Sequence, residues 1–500
     1  MHVWSRQRVC SLGVVLSFVF ALGATSGAAQ EGTFEVEELD LSHPVRHAIF
    51  SLEDPDTSRP VLAVAGVDEE GVARLSLFPI DQKGGLSAKA GRILRLPRQV
   101  IALDAAGGTL YALMPDGVYR WNLDTARFSR VLESASIFQS RPSLKLVETS
   151  FLQDVDGDGD ADVVLPGFAE VALALQDERG RFRRGTSLDV PAISYHQEYN
   201  RRITYRPISI YFLDGDGDGT RDAIAIQGGS MLFFAGLGPG RFAPARVVPL
   251  KLGITDRFLG DQVGDVGHED QVWKRVVRVD DFDGNGAMDL FTHTIESKGL
   301  FDKKHRFDFH PGVSEAPFVQ QSGDGQGIDT DVVIDEPLFA DVNGDGRLDF
   351  GAWSVDLGVG TIFGWLVTGT VDLEVSYYAL RPDGTYSDEP DRREVVEAGF
   401  DLSSGKPAVP PWFVADVNGD RRQDLVLGEG EDRLRVFLGD GSVQLFQREP
   451  VLTRVKLPGN GRDLVSPVDV NRDGKEDLVI RYGKIDGEGL DRKLRVLLAR

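Results

Sequence analysis

"FLQDVDGDGDADVVLPG" (residues 151–167) places Asp154, Asp156, Asp158, Asp160 and Asp162 within nine residues, directly ahead of an apolar run. Carboxylates this close raise one another's pKa unless a positive charge lies between them. The arrangement recurs along the chain. "LDGDGDGTRDAIAI" carries Asp214, Asp216, Asp218 and Asp222; "DFDGNGAMDLF" carries Asp281, Asp283, Asn285 and Asp289. "DVNGDGRLDF" supplies Asp341, Asn343, Asp345 and Asp349, and "DVNGDRRQDLVL" supplies Asp416, Asn418, Asp420 and Asp424. "DVNRDGKEDLVI" ends the series with Asp469, Asn471, Asp473 and Asp477. All six, the opening one included, obey D-x-[DN]-x-[DN]-x-x-x-D.

Oxygen donors at positions 1, 3, 5 and 9, with a backbone carbonyl at position 7, suit a hard cation. Calcium accepts such a mixed set of carboxylate, amide and carbonyl oxygens. A structural zinc site would carry Cys or His, and magnesium prefers to keep its waters. Glycine at position 6 lets the chain turn around the ion in five loops: Gly159, Gly219, Gly286, Gly346 and Gly474. The fifth loop has Arg421 there, which puts its occupancy in question, and the sixth has Arg472 at position 4. Asp-Gly pairs alone also make ordinary hairpin turns. Six loops at one ligand spacing point instead to calcium, up to six structural ions, while leaving any single loop open to being empty.

Strand-like runs flank every loop. "IYFL", "PLFA" and "WFVA" come before; "VVLPG", "AIAIQGG" and "LVLGEG" follow. An amphipathic helix, as after an EF-hand loop, is not found there. First aspartates at 154, 214, 281, 341, 416 and 469 give a period near 60 residues, room for about four strands per unit. Two further strand-turn units without ligands fit in 45–135. The sum is an all-β propeller of eight four-stranded blades, with seven as the alternative. The last unit lacks an outer strand, which "TFEVEELDL" (33–41) is placed to supply.

The N-terminus reads as a cleavable leader over 1–29. Arg6 and Arg8 precede the apolar run 10–24, which is too short to span a membrane, and small residues follow. Residues 30–500 are then one propeller, secreted or periplasmic, without a cysteine, since Cys10 lies in the leader. The net charge of −23 speaks against nucleic acid and anionic membrane as partners.

Residues 151–482, and less clearly 45–135, resemble FG-GAP/VCBS repeats, the calcium-loop blades of the integrin α-subunit head; "DLVLGEGEDRLRVFLGDGSVQLF" (424–446) carries the pattern closely. The resemblance implies a calcium-bearing propeller that recognises a ligand on one face or at its channel. It says little about activity, because one architecture hosts many functions. The sequence has no G-x-S-x-G, H-E-x-x-H, P-loop or dinucleotide fingerprint, so no residue is assigned to catalysis. The leading expectation is a binding or adhesion module for a protein or glycan. A lyase-like polysaccharide-active enzyme and a purely structural envelope scaffold are the alternatives. Ligand candidates lie where the repeat is broken: Tyr195, His196, Tyr199, Arg201 and Arg202 in "SYHQEYNRRITYR", and Lys304 in the basic-aromatic stretch "GLFDKKHRFDFHPG". Trp273, Trp353, Trp365 and Trp412 are expected to pack between strands rather than serve as sugar platforms. "GHED" (267–270) reads as a solvated loop.

Overall fold

The computed structural model describes residues 34–500 except 55–56, 123–124, 139–145, 198–201, 256–270, 299–302, 314–324, 335, 357–367, 402–405, 408, 443, 460 and 462–463. The expected leader, "GHED" and Trp365 lie outside the described residues. Eight antiparallel sheets follow one another along the chain, spanning 45–95, 102–133, 152–184, 210–249, 271–330, 332–407, 412–454 and 465–499, here blades 1 to 8. Apart from the split first strand of blade 6 and the strand that closes blade 8, neighbours in sequence are neighbours in the sheet, the simplest hairpin connectivity. Among the described residues no helix is long and apolar enough to cross a membrane.

The ring closes as the sequence suggests. Phe34–Asp40 pairs antiparallel with the C-terminal strand Lys493–Ala499, Phe34 opposite Ala499 and Asp40 opposite Lys493, and so becomes the outer strand of blade 8. Ion pairs run along this clasp: Glu38 meets Lys493 and Arg495, and Glu35 meets Arg500. The N-terminal strand thus fastens the two ends of the chain together.

Blade 6 departs from the four-strand plan. Its innermost strand is split into Val332–Val333 and Leu338–Ala340, both paired with Asp349–Val355, and its outer strand Arg392–Asp401 gains a short partner at Lys406–Pro407. Between blades 3 and 4 a separate two-stranded hairpin forms, Ile193–Gln197 with Arg202–Arg206.

The second strand of a blade is buried over most of its length because both its faces are covered. Asp162–Pro166 is buried over its first four residues, and Asp349–Val355 throughout. Apolar clusters bridge adjacent blades: Leu62, Val64 and Phe78 of blade 1 pack with Val479, Leu494 and Val496 of blade 8. Aromatic rings dominate where blades 5 and 6 meet, with Phe282, Phe291, Phe307, Phe309, Phe350 and Tyr386 in one cluster. Trp273, Trp353 and Trp412 are buried, in keeping with packing.

Candidate metal loops and the opposite face

Each acidic loop joins the first strand of a blade to the second, and position 9 is the first residue of that second strand. Asp162, Asp222, Asp289, Asp349, Asp424 and Asp477 are all buried there. One geometry repeats six times. The position 9 carboxylate accepts the backbone N–H of position 2 through Oδ2: Val155 (2.9 Å), Gly215 (2.8 Å), Phe282 (2.7 Å), Val342 (3.0 Å), Val417 (3.0 Å) and Val470 (2.9 Å). Through Oδ1 it accepts an N–H from beyond the loop: Gln176, Gly236, Gly312, Leu380, Gly439 and Ala499, at 2.6–3.1 Å. The residue therefore ties the loop to the blade. Each oxygen keeps a second lone pair for another partner.

Position 2 is the second anchor. Val155, Phe282, Val342, Val417 and Val470 are fully buried, and Phe282 stacks on Phe291 at 5.7 Å between centroids; the second loop has Gly215 instead. An apolar residue between two ligand positions therefore fixes how the loop sits.

Position 1 draws the loop into a ring. Asp214 accepts N–H bonds from Gly217, Asp218 and Gly219, and Asp341 from Gly344, Asp345 and Gly346. The turn needs left-handed backbone at positions 4 and 6. Gly157 and Gly159 have φ of 85° and 90°, and Gly344 and Gly346 have 76° and 83°. The two departures seen in the sequence occupy this same region without being glycine: Arg421 at φ 69° and Arg472 at φ 60°. Arg472 has a compensating contact, its guanidinium 2.6 Å from Glu53 of blade 1.

Burial dominates the electrostatics. It pushes the carboxyls of Asp162, Asp222 and Asp477 up to about 6, and those of Asp289, Asp349 and Asp424 up to about 7; the backbone N–H bonds pull down, and nearby loop acids add to the rise. A buried carboxyl of this kind is neutralised either by a proton or by a cation.

The loop at 154–162 fits a cation most directly. Asp154, Asp156 and Asp162 bring one oxygen each within 4.8 Å of one another, and Asp156 Oδ1 is buried without a hydrogen-bond partner. Burial, then Asp158, raises the Asp156 carboxyl as well. Equivalent carboxylate groupings form from Asp214, Asp216 and Asp218 and from Asp281, Asp283 and Asp289. The last three loops place Asn343, Asn418 or Asn471 at position 3, an amide oxygen in place of a carboxylate.

The other ligand candidates do not belong to these loops. Strand directions put the 193–206 hairpin at the opposite end of blades 3 and 4, since it links an outer strand to the next inner one. Tyr195, His196 and Arg202 lie on its two strands, while Tyr199 and Arg201 lie outside the described residues. Tyr205, 44% exposed, meets Phe168, 51% exposed, edge-to-face at 4.9 Å. Phe168 was not singled out by sequence; it sits in a short turn with no repeat-breaking signal around it. Lys304 is exposed on Lys303–His310, the third strand of blade 5. The basic-aromatic stretch around it is not one patch: His305 is buried, and Arg306 donates to Asp308 at 2.7 Å. Strand alternation splits its charges between two faces.

Comparison with known proteins agrees with this architecture. The FG-GAP-like repeat family matches residues 154–225 and 416–480, each match opening on the first aspartate of a loop. No curated protein matches the chain. Similar solved structures include an Agrocybe aegerita lectin that recognises non-reducing terminal N-acetylglucosamine, at 16% identity and TM-score 0.40 over 81% of this chain and 94% of that one. A periplasmic gluconolactonase of Pseudomonas aeruginosa matches at 11% identity and TM-score 0.32 over 84% and 97%. A Lactobacillus plantarum protein matches at 9% and 0.33 over 82% and 96%. Likenesses this distant carry no weight for function. The chain is an eight-bladed β-propeller that carries FG-GAP-like repeats at 154–225 and 416–480.

Proposed function

We propose that this protein is an exported, calcium-stabilised propeller that acts as a binding or adhesion module for a protein or glycan. A rigid ring with FG-GAP-like repeats fits an interaction scaffold. The observation that carries the calcium reading is Asp156 Oδ1, buried and unpartnered beside Asp154 and Asp162. A divalent ion there satisfies the orphan oxygen and removes the repulsion among the three carboxylates. The ligands proposed are positions 1, 3, 5 and 9 of each loop, with the Arg421-containing loop the weakest site. The ions are structural: they lock strand-to-strand turns, and metal binding becomes folding free energy.

Recognition is assigned to the end of the ring opposite the loops. There the 193–206 hairpin rises between blades 3 and 4 and leaves Phe168 and Tyr205 exposed as a pair. Exposed aromatics are favoured anchors of protein and glycan contacts. The test has two parts. Metal analysis of the purified chain after dialysis against calcium is expected to return several ions per molecule, fewer in Asp156→Asn. A glycan and protein array probed in calcium is expected to yield a ligand whose binding weakens in Phe168→Ala/Tyr205→Ala. Absence of bound calcium sinks the metal reading; a ligand indifferent to the aromatic pair sinks the assigned surface.

A further inference from the structure

On the loop face, blades 3 and 4 enclose a cleft of about 770 Å³ between their outer turns. Its walls hold Arg179, Arg181, Arg183, Arg184 and Arg241, five exposed guanidinium groups in a chain of net charge −23. Four come from one turn and strand, "RGRFRR" (179–184), and the fifth reaches in from blade 4. The two walls are held in register by close backbone contact, Thr186 N–H donating to the Gly240 carbonyl at 2.9 Å.

The arginines are not all spent on neighbouring acids. Asp177 receives Arg181 at 2.8 Å and Arg183 at 3.2 Å, and it also accepts two backbone N–H bonds of the turn, which uses up its oxygens. Among the described residues Arg184 and Arg241 donate only to backbone carbonyls, of Glu133 and Leu237, and Arg179 has no side-chain partner. The remaining acids of the wall are Glu178, exposed, and Asp156 and Asp158, proposed calcium ligands. With a cation in that loop those two are neutralised, and the wall is left positive. To that extent the inference rests on the calcium reading.

We propose that this cleft binds a short acidic oligosaccharide through its carboxylate or sulfate groups. Guanidinium forks match planar and tetrahedral oxyanions with paired N–H donors, more strongly than they match neutral acceptors. The volume lies within the range of roughly 300–1,000 Å³ typical of small-ligand sites. No aromatic ring lines the cleft, so nucleobases find nothing to stack on. Only Leu175 and Pro239 offer apolar side-chain surface, little for an acidic peptide to bury, whereas a hydroxyl-rich ligand needs none. The acidity of the rest of the chain repels a long polyanion and favours a short one held at this point.

The test is fluorescence anisotropy in millimolar calcium with labelled heparin hexasaccharide and labelled hexagalacturonate, the two probes separating sulfate from carboxylate recognition. Maltohexaose and hexaglutamate serve as neutral and peptide controls. At least one acidic saccharide is expected to bind, and Arg179→Glu/Arg241→Glu to weaken it by about tenfold or more. Arg448→Glu/Arg454→Glu, an equal charge change at exposed sites on blade 7, is expected to stay within about twofold. Unchanged urea midpoints establish that the variants fold, and Arg179→Gln replaces the double variant if it does not. Failure of both saccharides to bind, equal losses in the blade 7 variant, or equally tight binding of hexaglutamate overturns the proposal. Such a failure with calcium bound and an array ligand in hand removes the cleft alone and leaves the binding-module reading standing.

Discussion

Acidification should stabilise the metal-free protein, the reverse of its effect on the calcium-loaded one. Burial raises the position 9 carboxyls from an ordinary 3.8 to about 6 or 7 in the folded chain. The folded state therefore holds more protons than the unfolded state between about pH 4 and about pH 7, and stability falls as pH rises through that window. Going from about pH 7.5 to about pH 5 protonates the folded-state groups while the unfolded ones stay largely ionised, a gain on the order of 1 kcal/mol for each loop. Carboxyls whose pKa is lowered, such as Asp68, Asp81 and Asp383, pull the other way, but only at more acidic pH, as pH falls through their depressed values. Calcium reverses the slope because it binds the ionised loop, so the stabilisation it confers should shrink steadily on acidification. The assay is urea unfolding across this range, once in EDTA and once in millimolar calcium. An EDTA midpoint that falls together with pH would refute the reasoning, since it would mean that the position 9 carboxyls are charge-compensated without metal.

Arg421 and Arg472 test the backbone argument. Arg421→Gly relieves a left-handed non-glycine residue and is expected to stabilise the protein by about 1 kcal/mol by urea unfolding. Arg472→Gly relieves similar strain but gives up the Glu53 contact between blades 8 and 1, so its gain should be smaller, and the difference should vanish in a Glu53→Ala background. Phe282→Ala removes a fully buried ring from the blade 5 and 6 cluster and should cost roughly 3–5 kcal/mol, with one calcium ion fewer by metal analysis. Deleting residues 34–40 leaves the strand Lys493–Ala499 with an open edge; the expected result is a lower, broader urea transition and concentration-dependent association by light scattering.

Blade count and closure were legible because they rest on periodic features: a near-60-residue spacing, strand pairs on either side of each loop, and an alternating N-terminal segment matching a missing outer strand. Irregular parts were not. The split inner strand of blade 6 and the hairpin between blades 3 and 4 come from segments with no repeat to compare against, and their pairing is a tertiary outcome. Trp273, Trp353 and Trp412 read correctly as packing residues, whereas the stretch around Lys304 did not read as a strand whose charges part to two faces.

The loops show why a ligand pattern underdescribes its own residues. Position 9 stands out in sequence as a fourth oxygen donor, yet its carboxylate also accepts two backbone N–H bonds that join the loop to the end of the blade. Position 2 offers no side-chain oxygen and is not part of the ligand pattern, yet five of six are fully buried apolar anchors. A metal loop on a propeller thus has to satisfy two demands with overlapping residues: oxygens converging on one point, and a core contact that sets where that point lies. Arg421 and Arg472 expose the division of labour. Each keeps the aspartates of its loop and the buried residue at position 2, and breaks only the glycine that eases the turn. If the core contact dominates, those two loops hold their shape and bind calcium at reduced affinity. If the turn dominates, they lose metal altogether while the blades around them stay folded, and metal counts on Arg421→Gly and Arg472→Gly decide between the two.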